Sequence, residues 1–294
     1  VLSVRQELTD CLDLLDLEPI ENNLFLGVSP PAGWERVYGG QVLAQALTAA
    51  ARTVDDDRPP HSLHGYFLRA GDPSIPILYS VDRIRDGRSF TTRRVVAIQR
   101  GAAIFSMAVS FQIDEPGLEH SVPMPDVPGP EDVPPQPAHA DQPVEFEERS
   151  QPIEMRFVEP YDEYDPKPAP PWQHVWVRTV DAMPVHDLLH RCMLAYASDM
   201  TLLDTSYRAH GLGWRDQDFH VASLDHAMWF HRSCRTDEWL LYAQDSPNSG
   251  GARGFARGAF FTQSGELVAS VAQEGLIRLH RTSADATKTT DKPR

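Results

Sequence analysis

The sequence predicts an α+β protein built from two tandem units, each a long central helix wrapped by a curved antiparallel sheet. The first observation is a repeat at an offset of about 163 positions, at which Tyr66 meets Trp229 and Arg69 meets Arg232. The second is that each half holds one apolar segment of helical composition together with several strand-like runs. A single repeat over half of the chain indicates a duplicated domain rather than a solenoid, whose periods are about 20–50 residues.

The first unit, assigned to residues 1–114, is expected to open with a helix at residues 4–15, where Leu8, Leu12 and Leu15 recur at helical spacing. Strands at 24–28 and 34–38 follow, and Gly39-Gly40 is expected to end the second of them. Residues 41–52 are rich in Ala, Leu and Gln without interior Gly or Pro, which predicts the central helix. Turn signals such as Asp86-Gly87 then separate four strands of a meander, at residues 63–69, 77–85, 89–99 and 104–113.

Residues 115–150 are predicted to be a linker, because proline and acidic residues concentrate there and β-branched residues are few. The second unit, residues 151–282, repeats the order of the first, with strands at 153–158 and 174–180 and a helix at 185–203. Its later strands are expected at residues 221–232, 239–244, 255–262 and 267–279. The polar segment 283–294 is predicted to be disordered.

A long helix inside a curved antiparallel sheet is typical of the hotdog fold. In a single unit one sheet edge and one side of the helix stay uncovered, and pairing two units edge to edge covers both. The sequence therefore predicts a double hotdog. Its outer edges and sheet faces are expected to pair further, which would give a homodimer or a homotetramer.

Composition restricts the classes of function. The chain has 294 residues and a formal net charge of −15, which argues against nucleic acid as a partner because phosphate binding needs a basic face. Its three cysteines, Cys11, Cys192 and Cys234, have no CxxC spacing, which is usual for proteins of a reducing compartment. The N-terminal segment is too charged for a signal peptide, no apolar run reaches the ~18 residues of a membrane span, and the C-terminus is not a peroxisomal address. We therefore expect a soluble, cytoplasmic protein.

Several motifs carry a resemblance to one family. In the first half they are Val37-Tyr38-Gly39-Gly40-Gln41, Tyr66-Phe67-Leu68-Arg69 and Arg85-Asp86-Gly87-Arg88, and in the second half Tyr196-Ala197-Ser198-Asp199, Ser223-Leu224-Asp225-His226 and Ala252-Arg253-Gly254-Phe255. Over nearly its whole length the chain resembles acyl-CoA thioesterase II, the TesB-type thioesterases. The resemblance implies a hydrolase of fatty acyl-CoA in lipid metabolism, with no metal and no other cofactor.

The resemblance also implies the catalytic residues. Enzymes of this family hold and activate a water with an Asp, a Thr or Ser, and a Gln, and these positions fall on Asp199, Ser223 and Gln273. Ser223 in place of Thr keeps the hydroxyl and loses a methyl group that restricts the rotamer. A thioester is electrophilic enough for direct attack by water, so Asp199 would be the general base, its pKa raised by burial, while Ser223 and Gln273 position the water. On the residues alone, an Asp in an apolar helix is more often ion-paired than catalytic.

The two halves differ at these positions. Gln273 aligns with Ser110, and the first central helix has no acidic residue between Gln41 and Ala51. We therefore expect one site per chain, in the second unit. Backbone N–H groups near Gly39-Gly40 are expected to bind the oxyanion of the tetrahedral intermediate.

Other interpretations stay open at this stage. A group of arginines predicts either a solvated face or contacts for the phosphates of CoA: Arg88, Arg93, Arg94, Arg253 and Arg257. The Asp225-His226 pair suggests an enoyl-CoA hydratase on the same fold, although successive residues of a strand point to opposite faces. A non-catalytic acyl-CoA-binding protein is the alternative outside the enzymes. His186 and His190 have the i, i+4 spacing of a zinc-binding helix without an apparent third ligand, so no metal is expected.

Overall fold

The computed structural model describes residues 5–30, 36–135, 151–160, 162, 165–213, 215–216 and 218–279. The strand expected at 34–38 falls partly outside these residues, as does much of the predicted linker. The tail expected at 283–294 lies outside them entirely. No helix within the described ranges is long and apolar enough to cross a membrane.

The first half of the chain forms the helices and strands that the sequence predicts, with one shift that matters for the site. Tyr38 is extended and Gly39 is already helical, so the two glycines open the central helix α2 instead of ending a strand. Every residue of α2 from Gly40 to Ala50 is buried. The elements are α1 (Gln6–Leu15), β1 (Glu18–Glu21), β2 (Leu24–Gly27), α2 (Gly39–Ala51), β3 (Pro60–Phe67), β4 (Ile77–Asp86), β5 (Phe90–Gln99) and β6 (Ala102–Gln112).

The second half repeats this order with two differences from the prediction. The central helix α3 ends at Ser198, and a short helix α4 follows it. The single strand expected at 221–232 is interrupted at Leu224, whose N–H bonds the Glu274 carbonyl while its own carbonyl accepts from Phe67 N–H. The elements are β7 (Ile153–Phe157), β8 (Trp172–Thr179), α3 (Asp187–Ser198), α4 (Asp204–Arg208), β9 (Phe219–Ser223), β10 (Asp225–Phe230), β11 (Leu240–Gly250), β12 (Arg253–Thr262) and β13 (Leu267–Leu279).

These strands form one antiparallel sheet in the order β1-β2-β4-β5-β6-β3-β10-β13-β12-β11-β8-β7, with β9 pairing β13. The units join where β3 pairs with β10, which places Asp225 opposite Tyr66 and Trp229 opposite Ser62. Helices α2 and α3 pack against each other, and their apolar side chains share one core with the strands of both units. The predicted double hotdog is confirmed.

The described part of the predicted linker crosses the sheet face of the second unit that lies away from α3. Val133 is buried there with Trp176 and Trp239 in a second apolar cluster. The Trp176 indole N–H donates to the Pro128 carbonyl at 2.9 Å. This segment therefore covers apolar surface, while the boundaries of the two units stay a prediction.

The strand ladders align the two units residue by residue. Tyr66 lies opposite Ser106 in the first unit, and its equivalent Trp229 lies opposite Ser270 in the second. In this register Gln273 corresponds to Val109, and the predicted match with Ser110 was wrong by one residue, which on a strand is the opposite face. Leu63 pairs with Val109. In the second unit the positions equivalent to Leu63 and Val109 are His226 and Gln273. They adjoin the Ala227–Ala272 pair of the β10–β13 ladder.

Candidate active site

Asp199 directly follows Ser198, the last residue of α3, whereas the sequence predicted that it lies inside a helix at 185–203. Its side chain is only 5% exposed. A helix C-terminus carries a partial negative charge, which disfavours a carboxylate there. The N-terminus of α2 approaches from the other unit, where the backbone N–H of Gly40 favours the ionised Asp199 carboxylate. The acid is therefore held between the end of one central helix and the start of the other.

The three residues predicted to be catalytic meet at this point. The Gln273 amide donates to Asp199 Oδ1 at 2.7 Å and to Ser223 Oγ at 2.9 Å, which uses both of its N–H groups. The Ser223 hydroxyl also lies close to the Asp199 carboxylate, where it favours the ionised form. Residues from α3, β9 and β13 converge here because Ser223 pairs with Gly275 across the β9–β13 ladder, two residues beyond Gln273.

Burial raises the pKa of Asp199 from 3.8 to about 6. Hydrogen bonds from Gln273, Gly40 N–H and Ser223 favour the ionised form and limit this rise. Two buried tyrosines also face the carboxylate, and burial raises the pKa of both phenols, so they remain neutral. Tyr38 donates to the Tyr196 carbonyl and Tyr242 to the Ser198 carbonyl, each at 2.8 Å. A pKa near 6 suits a general base that must be ionised at neutral pH and still accept a proton.

Glycine is required at the start of α2 by the close approach of the two units. A Cβ on Gly39 would lie 2.5 Å from Asp199 Oδ2 and 3.1 Å from the Phe67 ring. A Cβ on Gly40 would lie 2.4 Å from the Tyr196 carbonyl oxygen. That backbone N–H groups near Gly39-Gly40 bind the oxyanion stays a prediction, and the Gly40 N–H lies close to the Asp199 carboxylate.

The Asp225-His226 pair does not act as a unit, as strand geometry predicted. Asp225 Oδ1 accepts the Glu274 backbone N–H at 2.7 Å on one face of the sheet. His226 is completely buried on the other face, with Nε2 2.9 Å from Ser198 Oγ and Nδ1 3.7 Å from Asp199 Oδ1. Sequence reasoning discarded the pair and so missed His226 by itself. A comparison with Leu63, its equivalent in the first unit, was the signal that could have found it.

The arginines predicted near the CoA phosphates do not form one group. Arg93 is 1% exposed and donates to Thr53 Oγ1 and Asp86. On β12, Arg253 pairs with Glu274 and Arg257 with Asp245. The side chains of Arg88 and Arg94 are exposed. Strands β5 and β12 are five positions apart in the sheet, which at ~4.8 Å per strand is about 24 Å.

Of the two histidines with zinc-helix spacing, His190 is bonded to Thr236. Nδ1 of His190 accepts the Thr236 backbone N–H at 3.1 Å and lies 3.0 Å from the Thr236 hydroxyl. His186 precedes the first residue of α3. Among the described residues, no group of three His, Cys, Asp or Glu side chains is placed to hold a metal ion.

Comparisons with known proteins agree on one family. Family models described as "Acyl-CoA thioesterase N-terminal domain" and "Acyl-CoA thioesterase" match residues 29–112 and 146–276. Acyl-CoA thioesterase 2 of Haemophilus influenzae is 38% identical over 279 residues, which cover 92% of this chain and 98% of that protein. Acyl-coenzyme A thioesterase 8 of Mus musculus is 40% identical over 284 residues, which cover 90% and 88% of the two chains. The crystal structure of the acyl-CoA thioesterase II TesB2 from Mycobacterium marinum has a TM-score of 0.79 at 44% identity, covering 93% of this chain and 99% of that one. The chain therefore belongs to the TesB-type acyl-CoA thioesterase II family.

Proposed function

We infer that this protein hydrolyses fatty acyl-CoA to a free fatty acid and CoA, with Asp199, Ser223 and Gln273 activating the attacking water. The observation that supports this assignment is the contact between the three side chains around a buried carboxylate whose pKa is raised to about 6. Family membership supports the reaction, and the geometry supports the choice of residues.

The side chains suggest how the water is held. Both N–H groups of the Gln273 amide are used, whereas its buried Oε1 has no hydrogen-bond partner among the described residues. A water that accepts the hydrogen of the Ser223 hydroxyl and donates one of its own hydrogens to the Asp199 carboxylate could donate its second hydrogen to that oxygen. Three fixed contacts would orient one lone pair of the water toward the thioester carbonyl carbon.

Hydrolysis then proceeds without a covalent enzyme intermediate. Asp199 takes a proton from the water as the water oxygen bonds to the carbonyl carbon, which produces a tetrahedral oxyanion. Collapse of this oxyanion restores the carbonyl and breaks the C–S bond. The proton held by Asp199 passes to the leaving thiolate of CoA, and the carboxylate is ready for another cycle.

An enoyl-CoA hydratase and a non-catalytic binding protein remain as outcomes of the test. The hydratase interpretation depended on Asp225 and His226 acting together, and their side chains lie on opposite faces of the sheet. A binding protein has no need for an acid whose pKa burial has raised toward neutrality. Hydration leaves the thioester intact, whereas hydrolysis releases one free thiol per substrate.

The deciding experiment measures free thiol released from short, medium and long acyl-CoAs by wild type and by Asp199→Asn. Asn preserves the volume and cannot accept the proton, so we expect kcat to fall on the order of 100-fold. Asp187→Asn is the matched control, since Asp187 lies in the first turn of α3, at the opposite end from Asp199. Equal activity of wild type and Asp199→Asn would refute the assignment of the base, and no thiol from any substrate would refute hydrolysis.

We also propose that arginine side chains bind the phosphates of CoA, with Arg88 and Arg94 as the first pair to test because both are exposed. Replacing both by Ala should raise KM for acyl-CoA and leave kcat unchanged. A thioester of pantetheine, which lacks the nucleotide phosphates, is the control substrate, and its KM should not respond. An equal rise for both substrates would contradict phosphate binding.

A cytoplasmic location and a homodimer or homotetramer complete the proposal. Free cysteines support the first, since Cys11, Cys192 and Cys234 are all unpaired. Several large apolar side chains on the outer sheet face, among them Tyr66 at 63% and Trp229 at 37% exposure, support the second. Light scattering coupled to size-exclusion chromatography measures the mass, and a 32.9 kDa particle would refute the oligomer.

A further inference from the structure

The hydrogen-bond distances around His226 favour one position for the proton of its ring. The Ser198 hydroxyl has one hydrogen, which is assigned to the nearer of its two acceptors, the Ala195 carbonyl at 2.8 Å. Its oxygen can then only accept from His226 Nε2, 2.9 Å away, so Nε2 is the N–H nitrogen. Burial lowers the pKa of His226 to about 3, and the ring therefore stays neutral. Nδ1 is left as a buried acceptor with no hydrogen-bond partner among the described residues.

This unused acceptor faces the general base. Nδ1 lies 3.7 Å from Asp199 Oδ1, too far for a hydrogen bond in the present state. An ionised carboxylate has no hydrogen to offer to Nδ1, whereas a protonated carboxyl has one. A movement of less than ~1 Å would then bring the two atoms to hydrogen-bond distance.

The internal repeat indicates that the histidine is not needed for folding. The equivalent pair in the first unit is Leu63 and Val109, both buried. The residue that follows the central helix is Arg52 in the first unit and Asp199 in the second. Burying polar groups with unused acceptors costs free energy that the apolar pair avoids. The polar pair His226 and Gln273 thus occurs only in the unit that carries the acid.

We propose that His226 is a positioning residue for hydrolysis, whose unprotonated Nδ1 accepts a hydrogen bond from the Asp199 carboxyl after that carboxyl has taken the proton of the attacking water. The inference rests on the proposed function of Asp199. An acceptor that acts only on the protonated carboxyl stabilises that form and makes Asp199 a stronger base. The other groups around the carboxylate are Gln273, Ser223, Gly40 N–H and the neutral phenols of Tyr38 and Tyr242.

The first test is His226→Leu, which installs the residue that the first unit has at this position. We expect kcat for thiol release to fall about 10-fold, the loss of roughly one hydrogen bond, with KM unchanged and stability to urea equal to or above wild type. His231→Leu is the matched control, because His231 also has Nε2 2.9 Å from a serine hydroxyl, that of Ser270, but lies away from Asp199. A kcat within about 2-fold of wild type in His226→Leu would overturn the proposal.

The second test uses pH and separates this role from a structural one. Ser198→Ala removes the acceptor that fixes the tautomer, so the ring can move its proton to Nδ1 and donate to the Asp199 carboxylate. That donation stabilises the ionised form, and the acid limb of kcat/KM against pH should move to lower pH. A limb that stays in place or moves to higher pH refutes the assigned tautomer. Long-range ¹H–¹⁵N NMR of wild type is an independent check, in which a protonated Nδ1 of His226 would also refute it.

Failure of this inference differs from failure of the proposed function. If Asp199→Asn is inactive while His226→Leu is fully active, the base is correct and only the role of His226 is lost. If Asp199→Asn is as active as wild type, the base is wrong and the positioning role is overturned with it.

Discussion

Replacing Asp199 by Asn should remove activity. It should also raise the free energy of unfolding relative to wild type by an amount that increases with pH. The folded-state pKa of about 6 exceeds the ordinary value of 3.8. Between these two values the folded protein holds a proton that the unfolded chain has released, so the contribution of Asp199 to stability decreases as pH rises through this window. Above pH 6 the folded state contains a buried ionised acid.

The magnitude follows from the shift of the pKa. A rise from 3.8 to about 6, at 1.36 kcal/mol per unit, means that ionised Asp199 disfavours folding by about 3 kcal/mol at neutral pH. Asn has no such titration. The free energy of unfolding of the variant minus that of wild type should therefore increase by about 2 kcal/mol between pH 4 and pH 7.5, the remainder of the change falling below pH 4. Any constant cost from the amide hydrogens of Asn cancels in this comparison.

The assay is urea unfolding of both proteins at several pH values, followed by tryptophan fluorescence. Asp187→Asn is the control with the opposite sign, because burial acts to raise the pKa of Asp187 but the bond and charge of Arg191 outweigh it and hold that pKa below its ordinary value. That variant should lose stability relative to wild type as pH rises toward about 3.8, and above pH 4 its difference from wild type should stay nearly constant. A pH-independent difference for Asp199→Asn, or one that falls with rising pH, would show that Asp199 is not held in the environment described.

Three further predictions concern the packing around the site. Gly39→Ala should lower kcat more than 10-fold, because its Cβ would lie 2.5 Å from Asp199 Oδ2, whereas Gly117→Ala meets nothing within 4 Å and should behave as wild type in the thiol-release assay. Burial raises the pKa of the Cys11, Cys192 and Cys234 thiols to about 12, so native protein should not react with a disulfide reagent at pH 8. Urea-unfolded protein should expose three thiols. Rapid labelling of the native state would contradict this prediction. Arg93→Ala should lower the free energy of unfolding by about 3 kcal/mol, because it removes the hydrogen bonds of a buried arginine to Thr53 and Asp86. A raised KM for acyl-CoA with unchanged stability would instead support a contact between Arg93 and a phosphate of CoA.

Much of the fold could be predicted from the sequence because the strands alternate clearly and the two central helices are strongly apolar. The break at Leu224 could not, since its residues have the composition of a continuous strand and the interruption is set by contacts with Phe67 and Glu274. Gly39-Gly40 resembled a strand end because local rules favour glycine there. Its actual place at the start of α2 depends on the approach of Asp199 and Tyr196 from the other unit.

The site was predicted from the resemblance rather than from local pattern. The mutual contacts of Asp199, Ser223 and Gln273 agree with that prediction, although their catalytic roles still await the experiments above. His226 was missed because the search paired neighbours in sequence. Its partners, Ser198 and Asp199, come from a different element, and only the three-dimensional structure shows that they face it.

The contact between Gly40 and Asp199 has a consequence for how activity appears during biosynthesis. The donor comes from near the start of the chain, and the three proposed catalytic side chains all come from its last hundred residues. A nascent chain whose first unit has already emerged from the ribosome holds the start of α2 but no acid for it to bind. On the proposed assignment of the catalytic residues, we expect hydrolysis to begin only after the second unit has been translated and has docked on the first.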